Sequence, residues 1–248
     1  MRSRRVLVIQ RYLAERDTSP HLQTFALPED LDGSLLDALQ YIKDHLDPTL
    51  AWRWSCRMGM CGSCGMMLDG EPVLACEVFL RDLPTGPSRV EPLAHLPVER
   101  DLIVDQAGFL EALASVRPWL VEKAGRETGP AGEGRQSPSE VADFLGLSQC
   151  INCLLCYAAC PQVALTPGFL GPAAVAVAHR YDLDSRDVGD GGRAPALQAD
   201  VGVWSCTVVG ECSTVCPKSV DPAAAIQQQK VRGLTDWMRG LLGFGGPA

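Results

Sequence analysis

The chain opens with polar ends around a β-branched run. Residues 5–12 (RVLVIQRY) predict a strand, and the segment His21 to Phe25 predicts its hairpin partner. Between Ser34 and His45 the period lengthens, with Leu35, Leu36, Leu39 and Ile42 at helical spacing. Short strand-like pieces follow at Gly65 to Leu68, at Val73 to Val78 around Cys76, and at Arg89 to Pro92, with Asp69-Gly70 as the turn between the first two. Strand, strand, helix and cysteine loop is a β-grasp order, expected to end near residue 106. Beyond it Phe109, Leu110, Leu113, Val116 and Leu120 predict a connecting helix, and the glycine, proline and charge of residues 124–139 predict an exposed loop. Ser137 with Glu140 has the spacing of a capping box, opening a helix that is expected to run into Cys150. The remainder reads as helices interrupted by cysteine turns, with Pro161 and Pro217 each expected to stop a turn. The predicted fold class is α+β, with domains at 1–106 and 107–248.

A length of 248 residues and an apolar fraction of 46% suit two small soluble domains. The net charge of −8 and the aromatic fraction of 6% argue against a nucleic-acid partner. The basic start is followed by an apolar run, Val6 to Ile9, that is too short for a signal-peptide core. No run approaches the ~20 apolar residues of a spanning helix. The chain is expected to stay in the cytoplasm, where thiols remain reduced, and to meet a membrane only through partner subunits.

The eleven cysteines fall into three patterns. Cys150, Cys153, Cys156 and Cys160, followed by Pro161, read C-x2-C-x2-C-x3-C-P, the bacterial ferredoxin run whose fourth cysteine ligates the other cluster. Cys206, Val209, Cys212 and Cys216, followed by Pro217, repeat every spacing with valine in the second place. Exchange of the fourth cysteines gives Cys150, Cys153, Cys156 and Cys216 for a [4Fe-4S] cluster, and only Cys160, Cys206 and Cys212 for the other. An isopropyl group has no lone pair, so a [3Fe-4S] centre is expected there. Cys56, Cys61, Cys64 and Cys76 show the plant-type [2Fe-2S] spacing, C-x4-C-x2-C with a distal cysteine. An odd count in tight turns makes a poor disulfide framework, and zinc sites usually present separated pairs. Gly59, Gly62 and Gly65 superficially suggest a phosphate loop, but the lysine and hydroxyl of such a loop do not follow. They predict instead a tight loop that turns N–H groups toward cluster sulfurs.

The segments RWSCRMGMCGSCG (53–65), CINCLLCYAACP (150–161) and WSCTVVGECSTVCPKSVDPAAAIQ (204–227) resemble the iron–sulfur subunits of succinate dehydrogenase and quinol:fumarate reductase, a likeness that extends to GPAAVAVAHRYDLDSRD. The resemblance implies an N-terminal plant-type ferredoxin domain and a helical bacterial-ferredoxin-like domain. It also implies a flavoprotein partner with FAD, hydrophobic membrane anchor subunits, menaquinone or ubiquinone as the electron partner, and a peripheral place on the cytoplasmic face of the cell membrane. The [2Fe-2S] cluster would lie nearest the flavin and the [3Fe-4S] centre nearest the quinone. Thr207 and Gln162-Val163-Ala164 stand where ubiquinone-using succinate dehydrogenases commonly carry histidine and tryptophan, which is similar to the fumarate reductase branch. Rival readings are a free ferredoxin-type carrier and the wire of a soluble, thiol-dependent fumarate reductase.

Gln227 and Lys230 share a helix face after the second Cys-Pro, whose proline is expected to lead the helix away from the clusters. Similar residues in the fumarate reductase branch contact the quinone, which makes Gln227, Lys230 and Thr207 the candidate quinone site, against a solvated helix face. Leu234, Trp237, Met238, Leu241 and Leu242 form a second stripe, expected either to dock on anchor subunits or, more ordinarily, to pack on its own domain. His21, His45, His95 and His179 show no ligand spacing, and no nucleophile–base constellation appears, so the chain should not itself transform a dicarboxylate.

Overall fold

The computed structural model describes residues 5–122 and 134–243. The predicted loop at 124–139 therefore lies largely outside the described residues. Two compact units emerge, one formed by Met1–Gln106 with Ile151–Ala159, the other by Ala107–Cys150 with Cys160–Ala248.

In the first unit β1 (Val6–Arg11), β2 (His21–Ala26), α1 (Leu35–His45), β3 (Gly65–Leu68), β4 (Glu71–Leu74) and β5 (Pro87–Glu91) build a five-stranded mixed sheet of order β2-β1-β5-β3-β4. β5 runs parallel to β1, and the other pairs are antiparallel. Leu7 and Ile9 of β1 and Leu35, Leu39 and Ile42 of α1 are fully buried, as period-two and period-four apolar spacing require. Ser34 and Asp37 close a reciprocal capping box at the start of α1. The strand expected over Val73 to Val78 is β4, which ends at Leu74, two residues before Cys76. β4 accommodates Pro72 because it is the sheet's edge, and a turn from the Leu74 carbonyl to the Glu77 N–H carries Cys76 off the ladder. A small ribbon of β6 (Val98–Arg100) and β7 (Ile103–Val104) completes the strands. Arg11, 6% exposed, binds Asp101, Asp47, Gln23 and Thr49, while Asp101 also accepts from the Ala51 N–H. Burial alone would raise the Asp47 carboxyl, but hydrogen bonds from Thr49 and Arg11 hold it well below the usual carboxylate range. This buried network fixes the chain on its way to the cysteine loop.

The second unit begins with α2 (Ala107–Ser115). That helix stops short of Leu120, because Pro118 disfavours helical backbone at the residue before it, and Arg117 takes a φ of 47°. α3 (Pro138–Leu145) has the Ser137–Glu140 capping box. It does not run into Cys150, since a one-turn 3-10 segment at Leu147–Gln149 intervenes. α4 (Leu155–Ala158) belongs to the first unit, and α5 (Pro161–Leu165) returns to the second. Pro161 opens α5 at its first position, where no N–H is needed, rather than merely ending a turn. α6 (Pro172–Asp182), α7 (Asp190–Leu197), α8 (Glu211–Thr214) and α9 (Pro222–Leu241) follow. α6 is central: Ala174, Val175 and Ala178 are fully buried against Leu197, Val203 and Ile226. At its end Arg193, 0% exposed, binds Asp182 and Asp187 and donates to the carbonyls of Arg117 and Trp119. The stripe at Leu234, Trp237, Met238, Leu241 and Leu242 is exposed, which corrects the expectation that it packs on its own domain. No helix among the described residues is long and apolar enough to cross a membrane.

Candidate metal centres

Cys56, Cys61, Cys64 and Cys76 come together in the first unit on a loop whose N–H groups turn toward sulfur. Met58, Met60 and Cys61 donate to Cys56 Sγ at 3.3–3.4 Å, Cys56 donates to Cys61 Sγ at 3.4 Å, and Gly59 donates to Cys76 Sγ at 3.3 Å. Left-handed backbone at Arg57, Gly59 and Gly62 makes the convergence possible. Two ties hold the distal cysteine: the Ala75 N–H donates to the Cys64 carbonyl, and the Leu36 N–H at the head of α1 donates to the Ala75 carbonyl. Cys64 Sγ and Cys76 Sγ lie 3.4 Å apart. Two thiolates on one tetrahedral metal with bonds of ~2.3 Å would stand about 3.8 Å apart, so a small adjustment would let both bind one metal. Burial, with the Cys76 sulfur alongside, pushes the Cys64 thiol up to about 12. At Cys61 burial also acts to raise the pKa, yet hydrogen bonds from the Cys56 and Ser63 N–H groups bring it down to about 6. Thiols in this mixture of poor and good thiolate environments suit a multi-iron group that supplies positive charge.

Gly62 adopts a φ of 72°, and a Cβ there would lie 2.9 Å from Cys153 Cα. Gly62→Ala combines backbone strain of ~1–3 kcal/mol with a backbone clash. The purified variant is expected to lose the [2Fe-2S] signal and at least two irons per chain, since the clash falls on Cys153, expected to ligate the [4Fe-4S] cluster. Gly70→Ala, at a φ of 91° but with open space around it, should load normally. Equal loading of both variants would refute this account of the loop.

The two cysteine runs share one backbone. Each begins after a 3-10 turn, at Leu147–Gln149 and Val203–Ser205, with Cys150 and Cys206 extended at φ/ψ of −61°/123° and −72°/124°. Left-handed residues then fall at Asn152 and Leu154 in the first run and at Val208 and Gly210 in the second. Leu154 and Gly210 each cap a four-residue helix, α4 and α8. Val209 thus stands between a left-handed pair, as Cys153 does in the first copy.

In the second unit Cys160, Cys206 and Cys212 influence one another. The Cys212 thiol is raised to about 11 by burial, opposed by Ser213 and reinforced by the charges of Cys160 and Cys206. The thiolate of buried Cys212 is disfavoured without a cation, and three soft sulfur donors gathered there fit an iron–sulfur group. Val208 N–H donates to Cys206 Sγ at 3.4 Å. Cys150 and Cys216 pack on one small apolar cluster with Ala176, Val220 and Ala225, while Cys153 and Cys156 belong to the first unit. None of the eleven cysteines forms a disulfide.

The proposed quinone residues also gather at Cys206. Lys230 Nζ donates to the Cys206 carbonyl at 2.7 Å, Gln227 Nε2 reaches Cys206 Sγ at 3.9 Å, and Thr207 Oγ1 accepts from Gln162 Nε2 at 3.3 Å. α9 therefore passes over the Cys206 segment and is not led away from it. Three partly or wholly exposed apolar residues, Trp204, Val208 and Val209, flank this region. Sequence reasoning missed Gln162 as a partner of Thr207 and Gln229 as the buried residue of α9. His179 is structural, held by Gln228 and Gln229, and His21, His45 and His95 are exposed.

Residues 6–111 match the family described as 2Fe-2S iron-sulfur cluster binding domain, and residues 146–220 match the 4Fe-4S dicluster domain. The chain is 52% identical over 244 residues to the fumarate reductase iron-sulfur subunit of Mycobacterium tuberculosis, covering 98% of each. It is 53% identical over 230 residues to that of Escherichia coli O6:H1, covering 93% of each. The succinate dehydrogenase iron-sulfur subunit of Paracoccus denitrificans is 38% identical over 224 residues, 90% of this chain and 85% of that one. Among solved structures, a chain of the Mycobacterium smegmatis Sdh1 complex in the apo form superposes with a TM-score of 0.83 at 26% identity, over 94% of this chain and 96% of that one.

Proposed function

The chain belongs to the family of fumarate reductase and succinate dehydrogenase iron–sulfur subunits, and we propose a residue-level assignment of its electron path on the fumarate reductase side of that family. It is the electron-transfer subunit of a complex II-type enzyme, working between the FAD of a flavoprotein partner and a quinone served by membrane anchor subunits. The three clusters supply one-electron carriers of different potential, and the polypeptide binds and tunes them.

In this reading Cys56 and Cys61 hold one iron of the [2Fe-2S] cluster, and Cys64 and Cys76 hold the other. Cys150, Cys153, Cys156 and Cys216 bind the [4Fe-4S] cluster, and Cys160, Cys206 and Cys212 bind the [3Fe-4S] centre. Gln227, Lys230 and Thr207 face the quinone, where the Lys230 ammonium would offset negative charge developing on a quinone oxygen. The subunit sits on the cytoplasmic face of the cell membrane, held there by its partners. One observation supports the assignment most strongly: N–H groups converge on the sulfurs of the Cys56–Cys61 loop, as an anionic cluster requires. The fumarate reductase branch draws support from identities of 51–53% with fumarate reductase subunits against 37–43% with succinate dehydrogenase subunits.

The test is the purified complex assayed in both directions with menaquinone and ubiquinone analogues. Faster fumarate reduction with menaquinol than succinate oxidation with ubiquinone is the expected result. The reverse preference would move the chain to the succinate dehydrogenase branch, and an active monomer without flavoprotein would overturn the assembly.

A further inference from the structure

Two side chains of α9 end on the same residue. Gln227 Nε2 approaches Cys206 Sγ at 3.9 Å, the long end for a sulfur acceptor, and Lys230 Nζ donates to the Cys206 carbonyl at 2.7 Å. The helix is held in this rotation from another side. Gln229, 1% exposed, donates to Asp182 Oδ2 at 2.7 Å and shares a 2.8 Å hydrogen bond with His179 Nδ1, both residues of α6. Its carbonyl accepts from Gln198 Nε2 at 3.0 Å, and Asp182 is itself gripped by the fully buried Arg193 and by Arg232. At ~100° per residue, Gln229 points about 200° away from Gln227 and about 100° from Lys230. One rigid rotation therefore decides both whether Gln229 reaches α6 and whether Gln227 and Lys230 reach Cys206.

We propose that Gln227 and Lys230 set the electron affinity of the [3Fe-4S] centre by acting on its ligand Cys206, and that Gln229 is the positioning residue that keeps them in place. The inference rests on the assignment of Cys206 to that centre and adds a role distinct from quinone contact. A thiolate that accepts a hydrogen bond donates less electron density to iron, and an ammonium beside the same residue favours the added negative charge of the reduced state. Both effects shift the one-electron ratio of oxidised to reduced centre toward reduced. No bond to either side chain forms or breaks. The hydrogen bond from Val208 N–H to the same sulfur is main-chain and stays in every variant. The two α9 side chains are thus the adjustable part of the setting.

The experiment is a redox titration of the complete, quinone-depleted complex, following the electron paramagnetic resonance signal of the oxidised [3Fe-4S] centre. Depleting quinone removes any effect that passes through quinone contact. Gln227→Leu and Lys230→Met are each expected to shift the oxidised-to-reduced ratio at fixed potential about tenfold toward oxidised, which is 59 mV for one electron. Lys230→Arg, which keeps donor and charge, should leave the midpoint close to that of the wild type. Gln229→Leu should move the midpoint in the same direction, while the [2Fe-2S] and [4Fe-4S] midpoints stay in place. Unchanged midpoints in Gln227→Leu and Lys230→Met, with iron and sulfide content intact, would overturn the proposal. A shift in those two without one in an assembled Gln229→Leu complex would remove the positioning role. Absence of any [3Fe-4S] signal from the wild-type complex would instead overturn the ligand assignment beneath it. Should Gln229→Leu fail to assemble, Gln227→Leu and Lys230→Met still decide the central claim.

Discussion

Replacing Val209 by cysteine is expected to convert the three-iron centre into a four-iron one. The backbone supports this directly, because Val208 at a φ of 63° and Gly210 at 89° reproduce the left-handed pair that brackets Cys153, Asn152 at 52° and Leu154 at 66°. A thiol at position 209 would therefore leave the chain in the direction that Cys153 does. The substitution asks little of the fold. Valine at 209 is 55% exposed, so it contributes little packing, and cysteine is the smaller residue. The signal of the oxidised [3Fe-4S] centre should vanish, the potential of the centre should fall, and iron content should rise by one atom per chain. Each 59 mV of fall changes the one-electron equilibrium with quinone tenfold, so quinone-linked turnover should drop steeply. Retention of the three-iron signal, with the other two clusters loaded, would mean that position 209 is turned away from the missing iron.

That prediction was legible in the sequence because cluster spacing is a local property. Tight turns between ligands leave few conformations, and the valine at 209 stands out against a repeat whose other spacings all hold. The start of α3 was legible for the same reason: the Ser137 cap acts over three residues. Most of what failed depended on distant partners. β4 includes Pro72 because the strand is an edge, which no local pattern states. The end of α2 was readable from Pro118, since the residue before a proline avoids the helical region, but the apolar spacing through Leu120 outweighed it. The meeting of Gln227 and Lys230 with Cys206 spans more than twenty residues and depends on how α9 is rotated against α6. The segment HRYDLDSRD was read only as a family likeness. Its aspartates hold a fully buried arginine, and burying charge requires partners that the sequence does not pair. For a related reason the sequence does not decide between docking and packing for the exposed stripe at Trp237, as helical spacing shows a face but not what covers it.

Lys230→Ala is expected to slow quinone-linked turnover by ~30-fold to ~1,000-fold while leaving dicarboxylate turnover with artificial dyes within about twofold. The range corresponds to losing one donor worth ~2 to 4 kcal/mol, taken from sites that stabilise a developing oxyanion. Dyes accept or supply electrons without the quinone, so they report on the flavoprotein and the upstream path alone. The tenfold shift in electron affinity inferred for the [3Fe-4S] centre would account for only part of such a loss. The remainder should appear as weaker quinone binding, with KM for the quinone rising as kcat falls. The geometry sets up this division: the Lys230 ammonium has three donors, one of them committed to the Cys206 carbonyl at 2.7 Å. Among the described residues the other two have no acceptor, and in the proposed site they would serve a quinone oxygen. Lys230→Arg retains charge but replaces a compact ammonium by a planar fork, so it should hold the potential of the centre and still impair quinone binding. If Lys230→Ala lowers both assays equally, the lysine serves the fold and not the quinone end. If it changes the potential of the centre but not the quinone KM, its whole role runs through Cys206.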